Sequence, residues 1–185
     1  PRMLRDGHLF PEHIIEVKKN GPKSGEIVWK WHVWDHLIQD FDPTKANYGD
    51  VSEHPERIDV HGSLRGIPAF WNHGNSIDYN ADLDQIVLSA RGFNEIWVID
   101  HATTTEEAAG PAGDLLWRWG NPIAHQNGQR EDRQLFQQHD AQWIPVNCPG
   151  AGNMLIFNNG LDRGFSSVIE IKPPVDGNGR YSSYD

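Results

Sequence analysis

Apolar residues along the chain come in short runs cut by Gly, Pro, Asn and Asp. Runs rich in Val, Ile and Trp and bounded by turn formers predict β-strands. Seven read this way: residues 14–18, 26–31, 85–90, 95–100, 114–119, 153–158 and 167–172. Helical periodicity is scarce. Only 32–39, and 131–138 ahead of His139, offer a helical turn or two. Residues 40–70 carry neither pattern and predict a long connection, a loop insertion between strands.

The runs recur as a group, which is the signature of a repeat architecture. One unit reads Gln85-Ile86-Val87-Leu88, then Glu95-Ile96-Trp97-Val98-Ile99, then Leu115-Leu116-Trp117-Arg118-Trp119. An earlier unit reads Gly7-His8-Leu9-Phe10, then His13-Ile14-Ile15-Glu16-Val17, then Ile27-Val28-Trp29-Lys30-Trp31. Trp29-Lys30-Trp31 and Trp117-Arg118-Trp119 are matching ends. A third unit starts with Met154-Leu155-Ile156-Phe157 and Ser167-Val168-Ile169-Glu170-Ile171. An innermost strand is expected before the second and third units, at 75–79 and 140–144. Repeated four-stranded units predict an all-β fold, a partial β-propeller of about three blades, as one domain over 1–185. A β-sandwich with chance internal similarity is the alternative. A closed propeller takes at least about four blades. The rest of the ring is therefore expected from missing blades or from a homo-oligomer.

Composition narrows the function. The chain has 185 residues, 37% hydrophobic and 23% charged, a globular composition. Its 16 basic and 26 acidic residues give a net charge of −10, with no basic stripe, so no nucleic-acid partner is expected. No apolar run approaches the roughly 18 residues needed to span a bilayer. Cys148 is the only cysteine, which excludes an internal disulfide and a multi-cysteine metal site. Any anionic substrate must be held by local positive groups against an unfavourable overall field.

The sharpest chemical constellation is His73-Gly74-Asn75, then Arg91, then His139. His73 and His139 occupy corresponding places, each at the start of an expected inner strand. In a propeller such starts converge on the central channel, so the two histidines would face one cavity. Arg91 follows the second strand of its unit and is placed to reach the same mouth.

Trp71-Asn72-His73-Gly74-Asn75-Ser76-Ile77-Asp78-Tyr79 followed by Ile86-Val87-Leu88-Ser89-Ala90-Arg91, and Gln138-His139-Asp140-Ala141-Gln142-Trp143, resemble the aryl-sulfate sulfotransferase family. The resemblance runs from about residue 12 to residue 172 and includes the spacing from His73 to Arg91. It implies a six-bladed propeller that moves a sulfuryl group from a phenolic sulfate ester to a phenol through a sulfo-histidine, without a nucleotide donor or other cofactor. It implies that His139 is the nucleophile, and that His73, Asn75 and Arg91 bind sulfate and move protons. It also implies a periplasmic or secreted protein, since the family is mainly exported in bacteria. The chain departs from the family pattern at Phe70, where an acidic residue often stands. A further channel histidine and a pocket hydroxyl of the family are expected before Pro1 and beyond Asp185, which leaves the isolated chain short of two pocket groups.

The chemistry independently asks for these residue types. Sulfuryl transfer, like phosphoryl transfer, is an in-line displacement with charge spread over equatorial oxygens. Imidazole is a competent nucleophile, Arg offers a fixed fork of donors, and a second histidine can carry the phenol proton. Other residues have open readings. His32 and His36 are four apart, a metal-like spacing on a helix, but no third ligand stands in register and no metal is expected. They are candidates for substrate binding, with a structural corner as the alternative. Trp71 and Trp34 are candidates for lining an aromatic acceptor pocket, against inter-blade packing. The competing function is a non-catalytic propeller, a binding or scaffold module that inherited the motif.

Overall fold

The computed structural model describes residues 10–62 and 71–184. The opening of the first unit, residues 7–9, and residues 63–70 of the long connection lie outside the described residues. The described chain is all-β. It begins with a hairpin of β1 (His13–Gly21) and β2 (Ser24–His32), antiparallel with Ile14 opposite Trp31. Two short strands, β3 (Leu37–Ile38) and β4 (Ile58–Asp59), pair in parallel. Next come β5 (Gly74–Asn80), β6 (Gln85–Ala90), β7 (Glu95–Asp100) and β8 (Trp117–Trp119), a four-stranded antiparallel meander in sequence order. One helical turn, α1 (Thr105–Ala108), sits between β7 and β8, closed by a reciprocal capping box of Thr104 and Glu107. Finally β9 (His139–Trp143), β10 (Met154–Asn158) and β11 (Ser167–Ile171) form a three-stranded antiparallel sheet. Among the described residues no sheet closes on itself, and no helix is long and apolar enough to cross a membrane.

The hairpin, the meander and the last sheet stack, and two apolar layers separate them. Ile86, Leu88, Trp97 and Ile99 pack with Ile14, Trp29 and Trp31 of the hairpin. Val87, Ile96 and Val98, one position along in each strand, pack with Ala141, Trp143, Met154 and Ile156. Alternate residues of a strand face opposite sides. Strands covered on both sides must therefore be largely apolar, and β6 and β7 are, apart from Gln85 and Ser89 in β6 and the terminal Glu95 and Asp100 of β7. Trp97 is fully buried; truncating a residue of that kind to Ala costs about 3–5 kcal/mol.

Side chains of β5 join the meander to the last sheet. Ser76 Oγ accepts from the Ala141 amide (2.9 Å), and Asp78 Oδ2 from the Trp143 amide (2.8 Å). The spacing of two on each strand matches. One row of side chains thus satisfies the donors on the outer edge of β9, which would otherwise be an open edge.

Several expectations need correction. Among the described residues only the meander is four-stranded. The strand expected over 114–119 starts at Trp117, because Asp114 bonds His36 and the Leu115 amide donates to Glu56 O (2.9 Å). The helical turn expected over 131–138 shrinks to a 3-10 turn at Arg130–Asp132. Beyond it, the amides of Gln134 and Leu135 donate to Gly120 O instead of continuing a helix. The turn expected over 32–39 is a 3-10 turn at Val33–His36 that leads straight into β3. The connection expected to be patternless holds β4 and a 3-10 turn at Val51–Glu53, capped by Asp50.

Candidate active site

His73 sits just ahead of β5 in the left-handed region, φ 50°. A non-glycine residue reaches that conformation at a cost and is held there by its surroundings. The Arg91 amide donates to His73 O (3.3 Å) and the Gly92 amide to Asn72 O (2.7 Å), which fastens the end of β6 to this loop. A Cβ on Gly92 would lie 2.2 Å from Trp71 O, so only glycine permits the approach. On the other side the Gly74 amide donates to Glu12 Oε1 (3.0 Å). Burial raises the Glu12 carboxyl above its ordinary range, and backbone bonds from Gly74, Glu12 itself and His73 oppose this only in part. The His73 ring is held below the ordinary histidine range, first by burial, then by the positive charge of Arg91 and by His139. His73 is therefore a neutral imidazole near neutral pH.

His139 opens β9. Its Nδ1 lies 2.8 Å from Asn159 Nδ2, which also donates to Gln137 O (2.5 Å). Its Nε2 makes no hydrogen bond among the described residues. Gln137 is also left-handed, φ 56°, pinned by a bond from its amide to Asn94 Oδ1 (2.7 Å). That conformation carries its side chain to Arg91, whose Nη2 donates to Gln137 Oε1 in a short contact. Asn75 Nδ2 donates to Gln138 O (2.8 Å). The Gln138 side chain is buried and donates to Glu95 O (2.6 Å) and Ser89 Oγ (3.2 Å). The segment leading into His139 is thus fixed from both the meander and β10.

Four expected residues, His73, Asn75, Arg91 and His139, fall at the junction of β5, β6 and β9. Asn75 spends one of its donors on the Gln138 backbone. Three others lie elsewhere. His36 is fully buried, with Nδ1 bonded to Asp114 Oδ1 (2.8 Å) and Nε2 to Ala108 O (3.0 Å), and stacks on Trp31. It ties the end of β2 to α1, and neither ring nitrogen is left for a substrate. His32 ends β2 and stacks on His13 (5.2 Å between centroids), beside a cleft with Trp34 and Lys30. Trp71 is buried and meets Phe93 edge-on at 5.2 Å, so it belongs to the core rather than to an acceptor pocket.

Sequence reasoning missed Glu12, Gln137 and Asn159. Asn159 carried a readable signal: it is the first residue after β10, as Arg91 is the first after β6. Glu12 and Gln137 act through backbone geometry and carried none.

The family model for Arylsulfotransferase (ASST) matches residues 6–184. Most of the chain lies within that match, and the chain belongs to this family. No curated protein matches it.

Proposed function

We propose that this chain carries the catalytic face of an aryl sulfotransferase that moves a sulfuryl group from an aromatic sulfate ester to a phenol, with His139 as the nucleophile. The observation that carries this reading is the meeting of His73, Arg91 and His139, the last with Nε2 open, at the β5–β9 junction. Arg91 supplies a fixed cation for the sulfate oxygens in a chain of net charge −10, where the overall field opposes an anion. Its contact with Gln137 holds the guanidinium in place. The two faces of the transfer then share one histidine: the donor ester gives its sulfuryl group to His139, and a phenol takes it away. His73 takes the proton of the incoming phenol in its neutral form and, once protonated, gives it to a departing phenolate.

In this reading the stacked sheets are consecutive blades of a six-bladed propeller. The outward face of the last sheet supports it: Phe157 is 40% and Val168 67% exposed on the side away from the core, an apolar face of the kind a next blade covers.

The test is a quenched incubation with an aryl sulfate and no acceptor, read by peptide mass spectrometry. A sulfuryl adduct on His139 is the expected result, absent in His139→Ala. An adduct on another residue, or full turnover by His139→Ala, overturns the assignment.

A further inference from the structure

Three arginines of the chain are held by carboxylates: Arg118 by Glu95 (3.1 Å), Arg133 by Asp162 (3.2 Å) and Arg57 by Asp114 (3.4 Å). Arg91 is held by an amide. Its Nη2 donates to Gln137 Oε1 in a short contact, and among the described residues no carboxylate pairs with it. The hold is a closed ring of bonds. The Asn94 amide donates to Arg91 O (3.1 Å), Asn94 Oδ1 accepts from the Gln137 amide (2.7 Å), and Gln137 Oε1 accepts from the Arg91 side chain. Asn159 Nδ2 fixes the Gln137 carbonyl as well (2.5 Å). Gln137 and Asn94 are both left-handed, φ 56° and 58°, a conformation that non-glycine residues keep only where their surroundings hold them. One turn, 91–94, thus places the cation and also the backbone of its partner.

We infer that Gln137 is a positioning residue that aims the Arg91 guanidinium through a neutral acceptor, and so leaves the full charge of Arg91 for the sulfate of the ester. The inference rests on the reading of Arg91 as the sulfate-binding cation. A guanidinium has five N–H donors. Gln137 takes one of them and has no charge with which to cancel the cation. A carboxylate at the same place would orient Arg91 at least as firmly, because a charge-assisted bond is the stronger one. It would also compete with the sulfate, by filling the fork and neutralising it, in a chain whose net charge of −10 already opposes an anion. Orientation and charge are separate demands on the partner of Arg91, and an amide meets both.

The experiment uses wild type, Gln137→Ala and Gln137→Glu on the full chain, with inorganic sulfate as the probe and the His73 ring signal in proton NMR as the reporter. Sulfate affinity should fall about threefold in Gln137→Ala, the effect of one neutral hydrogen bond of modest net strength. It should fall about tenfold or more in Gln137→Glu, where a second anion stands within ion-pair range of the same cation at partial exposure. The KM for an aryl sulfate should rise in the same order. A role in orientation alone predicts the reverse, with Gln137→Glu at least equal to wild type. That order overturns the inference, as do equal affinities in all three proteins. The His73 titration gives a second readout. Arg91 disfavours the charged ring, so a carboxylate beside Arg91 should move that titration up in Gln137→Glu; an unmoved titration overturns the inference. If Gln137→Ala fails to fold, the isosteric Gln137→Glu decides against wild type. Sulfate binding in the expected order without a sulfuryl adduct on His139 removes the transfer reading and leaves Gln137 its role. An adduct with the reverse order removes the role of Gln137 alone.

Discussion

Arg118 and Glu95 form a two-point ion pair with no exposure to solvent: Nη2 to Oε2 at 2.5 Å and Nε to Oε1 at 3.1 Å. The Arg118 side chain also donates to the carbonyls of Arg57 (2.8 Å) and Pro55 (3.2 Å), and Trp97 Nε1 donates to Glu95 Oε2 (2.8 Å). The pair fastens the 55–57 segment to β7 and β8. It also stands behind the site, because the Glu95 carbonyl receives Gln138, the neighbour of His139. Removing one partner leaves a buried uncompensated charge, which costs about 3–5 kcal/mol. Arg118→Ala should therefore lower the urea midpoint by that equivalent. A loss below about 1 kcal/mol would show that water reaches the pair.

The same carboxylate makes stability depend on pH. Burial alone would raise Glu95, but Arg118 and the bond from His125 outweigh it and hold the group below its ordinary 4.5. The unfolded chain then binds the proton more readily than the folded one. The contribution of Glu95 is complete above about 4.5 and is lost as pH falls through the lower folded value. Urea titrations from pH 6 downward should show declining stability that flattens in Glu95→Gln. A parallel decline in both proteins would assign the effect to other carboxylates.

The bonds from β9 to Ser76 and Asp78 give a local prediction. Asp78→Ala leaves the buried-edge amide of Trp143 without an acceptor, at a cost of about 1–3 kcal/mol. Hydrogen exchange should speed up at Trp143 and Ala141 before it does at β6 and β7, which are covered on both faces. Uniform acceleration across all sheets would mean that the join is no weaker than the core.

How much of this was legible before the structure depends on what carries each feature. β6 and β7 stood out because both their faces are buried, and their observed bounds coincide with those read from the sequence. β8 was overextended because Asp114 and Leu115 look like strand residues but are claimed by His36 and Glu56 across the chain. His73 and His139 stood out because they occupy corresponding points of a repeat, Arg91 because it follows the second strand of its unit, and Asn75 through the family resemblance. Gln137 was missed because its side chain reaches Arg91 only through a left-handed backbone, which no pattern of residue types encodes. His36 stood as a substrate-binding candidate with a structural corner as the alternative, and the corner is what forms: the 3-10 turn at Val33–His36 sends its ring into the core against Trp31.

The last prediction concerns His73 and Arg91. Arg91 and His139 both disfavour a charged His73, and burial does so more than either. Below the ordinary histidine value of 6.5, His73 therefore stays neutral over a range in which an exposed histidine would already be protonated. Replacing Arg91 with Gln removes the larger of the two like charges while keeping a donor near Gln137. The His73 titration should then move up toward 6.5, though not fully, because burial remains. Proton NMR of the His73 ring measures this directly and needs no activity. In the enzyme assay the same variant should lose about 10²–10³ in kcat, the usual cost of one donor to developing oxyanion charge. Its acidic limb should shift upward with the titration, since the base form of His73 disappears at a higher pH. A titration unmoved by Arg91→Gln would mean that the guanidinium points away from His73, and the shared site for sulfate and proton would fall with it. A moved titration with unchanged kcat would keep the electrostatic contact and remove Arg91 from the chemistry.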